Sequence, residues 1–209
     1  METLNPAVLF LKGVGIGFAI AAPVGPIGVL CIRRSLAEGR QIGLATGLGA
    51  ATADAAYGFV AAFGLTAISS ALVNMKTWLG LIGGAFLCYL GIRTFLSKPA
   101  EAAEPARSGG LLSAYITTVF LTLTNPMTII SFTMLFAALG LGAARDYFSA
   151  ATMVAGVFIG SALWWVMLST GAAWFRTGVT PGWMRKINQV SGSVILVFGL
   201  YSIAESLFR

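Results

Sequence analysis

The stretch AAPVGPIGVL, residues 21–30, sets two prolines and two glycines inside an apolar run that extends from about residue 5 to residue 32. A proline within a helix has no N–H to donate and clashes with the preceding turn. Pro23 and Pro26 therefore free the carbonyls roughly four residues back, near Ala19 and Ala22, and Gly25 and Gly28 remove the side chains that would cover them. In water such a break is unremarkable. In a bilayer the freed groups persist only where protein or a wet cavity satisfies them. What surrounds the stretch therefore decides its meaning.

The surroundings are those of an integral membrane protein. Of 209 residues, 57% are hydrophobic and 10% charged, against about 25% charged in a soluble domain. Further apolar runs cover about 41–66, 72–96, 111–139, 147–174 and 187–207. Each is long enough for a span of ~20 residues, and strand-like alternation of polar and apolar residues, the mark of a membrane β-barrel, is missing. The sequence therefore predicts an all-α integral membrane fold of six transmembrane helices in a single domain, residues 1–209. The start lacks the basic region of a secretory signal and reads as a retained first span.

The segment SKPAEAAEPARSGG, residues 97–110, is rich in Pro, Ala, Glu and Gly and divides the chain into halves at 1–97 and 111–209, with 98–110 as linker. The halves are weakly alike. FAIAAPVGP (18–26) in the first span matches FLTLTNPMT (120–128) in the fourth, and GLGAATAD (47–54) in the second has spaced small residues like GVFIGSAL (156–163) in the fifth. Three spans is an odd number, so similar halves must lie in the membrane with opposite topology. The expected architecture is a 3+3 inverted repeat with the first and fourth helices broken at their prolines, a transporter plan.

Net charge is +6, from 13 basic and 7 acidic residues. With no soluble module left over, the excess reads as orientation and lipid contact rather than nucleic-acid binding. Arg33, Arg34, Arg40, Arg93, Lys98, Arg107, Arg176, Arg185 and Lys186 fall on one face if the first span starts outside. Lys76, Arg145 and Arg209 take the other, with Lys12 snorkelling near it. The positive-inside rule makes the first set cytoplasmic and both termini external.

Candidate site residues gather at the breaks and at one acid. A lone proline reads first as a kink; two matched breaks read as half-helix ends, whose free N–H groups and positive dipole ends suit a carboxylate. This selects Pro23, Gly25 and Pro26 in the first span and Thr124, Asn125 and Pro126 in the fourth. Asp54, about thirteen residues into the second span, reads as the single deep acid. A carboxylate at that depth must be protonated, paired or wetted, so Asp54 either has a purely structural partner, meets a substrate ammonium or carries a proton. Gly47, Ala51 and Gly58 share its helical face, which is therefore close-packed or cavity-lining.

Other features are weaker. The pairs Gly13 and Gly17, Gly43 and Gly47, Gly80 and Gly84, and Gly156 and Gly160 indicate close helix packing and allow a homodimer without requiring one. Trp164 and Trp165 lie mid-span, away from the interfacial belt, and read equally as core or cavity wall. Asn188, Gln189 and Ser191 open the sixth run, where capping and interface hydration account for them. The absence of histidine leaves a poor ligand set for a metal, and no cofactor is implied. Cys31 and Cys88 form no CxxC and read as small buried hydrophobes.

Taken in order, APVGPIGVLCIRRSLAEGR (22–40), GLATGLGAATADAAYGFVAAFGL (43–65), LGLIGGAFLCYLGIRTFL (79–96), LTNPMTIISF (123–132) and INQVSGSVILVFGLY (187–201) resemble the LysE/RhtB amino-acid exporters of bacterial inner membranes. The resemblance covers nearly every span. It implies secondary export of amino acids from the cytoplasm, driven by protons, with the family's Pro-Gly-Pro at Pro23, Gly25 and Pro26, its acid at Asp54 and its Asn-Pro at Asn125 and Pro126. Two departures stand out: Val24 intervenes between Pro23 and Gly25, and Met127 stands where many members carry lysine. One deep acid favours a neutral amino acid over a dibasic one, whose second cation needs its own partner. Two rivals remain, a metal-ion or other small-cation exporter of related design, and a membrane thiol-disulfide relay, which needs a cysteine beside each break.

Overall fold

The computed structural model describes residues 5–22, 25–62, 75–97, 110–125, 128–129, 131–132, 147–178 and 180–208. Among them there are seven α-helices and no strand: α1 (Pro6–Ala21), α2 (Pro26–Ala37), α3 (Arg40–Ala62), α4 (Lys76–Phe95), α5 (Gly110–Leu123), α6 (Tyr147–Trp174) and α7 (Pro181–Phe208). A 3-10 turn, Phe175–Gly178, follows α6. Pro23, Val24, Pro126 and Met127 lie outside the described residues.

Local chemistry sets the helix ends. The Asn5 side chain accepts from the Ala7 N–H at 2.9 Å, with Pro6 at the first helical position of α1. Thr180 and Pro181 repeat this at α7, where the Thr180 hydroxyl accepts from the Trp183 N–H at 3.3 Å. Proline suits that position because its missing N–H would be unpaired there in any case. α7 accordingly starts six residues before the apolar run at 187. Gly39, at φ +99, turns the chain from α2 into α3 with the left-handed conformation that glycine adopts without penalty.

α1 and α2 form a bent pair. α1 stops at Ala21, α2 starts at Pro26, and their axes are set 82° apart. Pro26 is therefore a helix start and not an interior interruption, which corrects the expectation that it costs a bond within a continuous helix. α5 ends at Leu123, and helical turns resume at Thr128, whose N–H bonds the Asn125 carbonyl at 3.1 Å. Three helices, α4, α6 and α7, are long and apolar enough to cross a membrane, four spans if the bent pair counts as one. Their outward faces carry exposed Trp78, Ile82, Leu163, Met167, Val197 and Leu200, an apolar surface suited to lipid rather than water.

α3 fails that hydropathy test, and its position explains why. It is wedged between α5 and α6, so small residues replace lipid-facing bulk on both sides. A Cβ on Gly49 would meet the Tyr115 carbonyl at 2.5 Å, and one on Gly47 would strike the Trp165 side chain. α1 crosses α6 where Gly13 and Gly17 meet Gly156 and Gly160 with backbone against backbone. α4 crosses α7 in the same way: a Cβ on Gly91 would lie 2.7 Å from the Leu196 nitrogen, and one on Gly199 2.7 Å from the Cys88 nitrogen. Of the glycine pairs read from the sequence, Gly13 and Gly17 with Gly156 and Gly160 make the first crossing, Gly80 and Gly84 face α7 at the second, and Gly43 and Gly47 instead admit the side chains of Ser35, Ser169 and Trp165.

Two arginines pin α2 to its neighbours. Arg33 donates to Asn188 on α7 at 3.1 Å, to Glu38 at 3.1 Å and to Ser97 at 3.2 Å. Arg34 donates to Thr46 on α3 at 3.1 Å, and to Thr118 and the Ala114 carbonyl on α5 at 3.3 Å each. The positive-inside rule makes both of them orientation charges. The structure gives them a packing role as well. Asn188 is 1% exposed, so interface hydration does not account for it; its amide is fixed between Arg33 and the Ser97 carbonyl.

Candidate functional site

A cavity of about 290 Å³ opens where the two breaks approach each other. Its wall takes in Gly25, Pro26, Ile27 and Gly28 from the start of α2, Asp54 from α3, Asn125 and Thr128 across the second break, and Trp165 from α6. Four of the seven residues singled out in the sequence thus share one space: Gly25, Pro26, Asp54 and Asn125. Pro23 and Pro126 lie outside the described residues. Thr124 is placed elsewhere. Its hydroxyl turns back to the Phe120 carbonyl at 2.8 Å, and its backbone and side chain press on Gly83 of α4.

Asp54 is 3% exposed. The Ser161 hydroxyl donates to its Oδ2 at 2.6 Å, and the Trp165 indole N–H donates to Ser161 at 3.1 Å. That distance is characteristic of a hydroxyl donating to a carboxylate. The relay fixes one carboxylate oxygen against α6. The face of α3 that carries Asp54 packs as its small residues require, with Gly47 against Trp165 and Gly58 against Val157. The two tryptophans divide their tasks: Trp165 forms cavity wall, while Trp164 packs edge-on against Phe18 at 5.4 Å.

One helical turn beyond Asp54, Tyr57 donates its hydroxyl to the Leu123 carbonyl at 2.6 Å. That carbonyl belongs to the last residue of α5, where the break ends the intrahelical ladder. α3 therefore supplies both the acid and the cap that satisfies the broken helix beside it. Neither Ser161 nor Tyr57 was singled out from sequence, although Tyr57 follows Asp54 at the i+3 spacing that shares a face. Glu205 of α7 also lines the cavity. Asp54 is therefore not the sole carboxylate on its wall.

The start of α2 has no side-chain cap. Gly25 occupies the N-cap with no side-chain bond, Pro26 has no N–H, and the first intrahelical donor is Val29, bonded to the Gly25 carbonyl at 3.1 Å. The N–H groups of Ile27 and Gly28 thus precede the ladder and carry the positive end of the helix dipole. A Cβ on Gly25 would meet nothing within 4 Å. Space, and not only backbone, faces that position.

The cysteines lie apart from one another. Cys31, fully buried, rests its thiol on the Gly43 carbonyl at 3.6 Å, and Cys88 rests on Leu196 at 4.0 Å. Both are free.

A family model described as LysE type translocator matches residues 18–206. The chain belongs to the LysE-type translocator family. Like this LysE-type chain, the protein named "Putative amino acid efflux protein YcgF" of Bacillus subtilis (strain 168) is covered nearly end to end by the likeness, at 27% identity over 197 residues, 92% of this chain and 94% of that one. "Uncharacterized membrane protein YahN" of Escherichia coli (strain K12) is 27% identical over 180 residues, 84% of this chain and 80% of that one. No solved structure matches. Membership makes this a membrane translocator for a small molecule, and both breaks and Asp54 fall within the matched residues.

Proposed function

We propose that the chain is a secondary exporter of α-amino acids, coupled to protons and seated in the bacterial inner membrane with both termini outside. The single observation that carries this reading is one cavity shared by the uncapped start of α2, Asn125 at the second break and the buried Asp54. An α-amino acid has the matching charges. Its carboxylate would lie at the half-helix ends and its ammonium at Asp54; exchange of that ammonium for a proton on Asp54 would couple efflux to the gradient. The name of the Bacillus relative agrees with the substrate class. The sequence favours a neutral side chain on the strength of its single deep acid. Asp54 remains the single acid deep inside a span, so a neutral side chain stays favoured, and Glu205 near the end of α7 on the same wall brings basic amino acids into the test.

A 3+3 inverted repeat, with halves at 1–97 and 111–209, is part of the proposal. Its support is the pairing of helices. Exchanging the halves maps α1 onto α5, α3 onto α6 and α4 onto α7. Under that exchange the α1–α6 contact becomes the α5–α3 contact, while α3–α6 and α4–α7 map onto themselves. These four are the most extensive helix contacts among the described residues. That the pairings map onto one another under the exchange is what supports the repeat.

The test is efflux from cells loaded with labelled dipeptides, comparing wild type with Asp54→Asn over neutral and basic amino acids. Export by wild type and a strongly reduced but measurable rate in the variant are expected. Undiminished export of every amino acid by Asp54→Asn would overturn the role given to that carboxylate.

A further inference from the structure

Threonines in membrane helices ordinarily satisfy their hydroxyls on their own helix, bonding the carbonyl three or four residues back. On α5 Thr118 does so to Ala114 at 2.8 Å, and just beyond its end Thr124 does so to Phe120 at 2.8 Å. Thr122, between them, does not. It is 2% exposed, it lies on the cavity wall, and its hydroxyl has no hydrogen-bond partner among the described residues. Burying a hydroxyl unpaired is destabilising, whereas an isosteric apolar side chain would bury at no such cost.

Its place in the fold says what it faces. α2 and α5 run antiparallel. Arg34 reaches Thr118 and Ala114, and one turn nearer the break Leu30 and Leu121 share a core cluster. One further turn brings the start of α2 level with Thr122 and Asn125, and all of these line the same cavity. The first-turn N–H groups of Ile27 and Gly28, which precede the intrahelical ladder of α2, and the unpaired Thr122 hydroxyl are thus donors on two helices whose residues line one cavity. An anion is the ligand that three donors suit.

Resting on the exporter reading, we infer that Thr122 is a substrate-binding residue that donates its hydroxyl to the carboxylate of the transported amino acid, completing a cradle begun by the first turn of α2. It is a specificity residue: it distinguishes an α-carboxylate from the same molecule with that charge removed. Thr124 and Thr118, of the same residue type and on the same segment, have no such part because their hydroxyls are already used.

The experiment uses purified full-length protein in proteoliposomes with the twenty L-α-amino acids. The best-transported member and its α-carboxamide are then compared on wild type, Thr122→Val and Thr122→Ser. Thr122→Val should raise KM for the acid about tenfold, the size expected for losing one hydrogen bond to a charged group. Inhibition by the carboxamide should change less than about twofold, Thr122→Ser should resemble wild type, and the unfolding temperature of ligand-free Thr122→Val should not fall. Thr122→Ala repeats the comparison if the valine variant fails to reach the membrane. An unchanged KM, equal weakening of acid and carboxamide, or failure of the serine variant alongside valine would overturn the assignment. If wild type transports none of the panel, the exporter reading fails and takes this inference with it. If wild type transports and Thr122→Val is indistinguishable from it, Thr122 alone loses its role.

Discussion

Ser161 offers the sharpest test of how the acid is held. Replacing it by alanine removes the 2.6 Å bond to Asp54 and leaves the Trp165 N–H without its acceptor. The first loss is about 1.5–3 kcal/mol for a hydrogen bond to a charged group, and the second about 1–3 kcal/mol for a stranded buried donor. The two share one hydroxyl and do not simply add; moreover, Trp165 stands on the cavity wall, where water can replace part of what it loses. A net effect of about 2 kcal/mol on the productive arrangement corresponds to a fall of roughly thirtyfold in kcat/KM. The decisive measurement is the double-mutant cycle with Asp54→Asn, read by initial efflux rates from loaded proteoliposomes. If Ser161 acts through Asp54, adding Ser161→Ala to Asp54→Asn should lower the rate by less than about threefold, since the carboxylate it positions is already gone. Full multiplication of the two losses would refute the relay and make Ser161 an independent contributor.

Two glycines should respond in opposite ways. Gly25→Ala meets open space and should leave the unfolding temperature unchanged while lowering transport by filling the cavity. Gly17→Ala would drive a Cβ into the Val157 carbonyl and should cost several kcal/mol or abolish folding, as seen by size-exclusion of detergent extracts. Arg34→Met removes Nη1, the one nitrogen that reaches Thr46, Thr118 and the Ala114 carbonyl together. A loss of about 2 kcal/mol is expected, measured by thermal unfolding, with wild-type stability counting against the pinning role. Tyr57→Phe strands the Leu123 carbonyl at the end of α5 and should cost about 1–3 kcal/mol by the same measurement.

Much of the fold was legible because lipid imposes simple rules. The run at 147–174 became α6 residue for residue, since a continuous apolar stretch with no proline has nothing to stop it. The first break was legible from Pro23 and Pro26, but its geometry was not: whether Pro26 kinks a helix or starts one depends on where the preceding helix stops. The start of α7 was missed because the segment from Pro181 is polar, and a hydropathy reading ends where charge begins; the Thr180 and Pro181 pair was the available signal. Arg33 and Arg34 show a related blind spot. Adjacent arginines at a span end satisfy the positive-inside rule whether or not they have partners, so that pattern gives no hint that one reaches α7 and the other α5.

The site divides along the same line. Asp54 was legible because an acid inside an apolar run is costly wherever it points, so its type alone marks it. Ser161 and Thr122 carry no such mark. Hydroxyl residues are inexpensive in a membrane helix because they can bond backward: Ser35 does so to Cys31 at 2.8 Å and Thr46 to Ile42 at 2.9 Å. What separates Ser161 is a partner 107 positions away in the chain, and what separates Thr122 is an empty space shared with a helix from the other half. Neither is a property of its own segment. On the proposed reading the substrate lies between two packed halves, so the site is assembled from residues distant in sequence: the charged member shows itself early, and the neutral donors proposed around it emerge only once the helices are packed together.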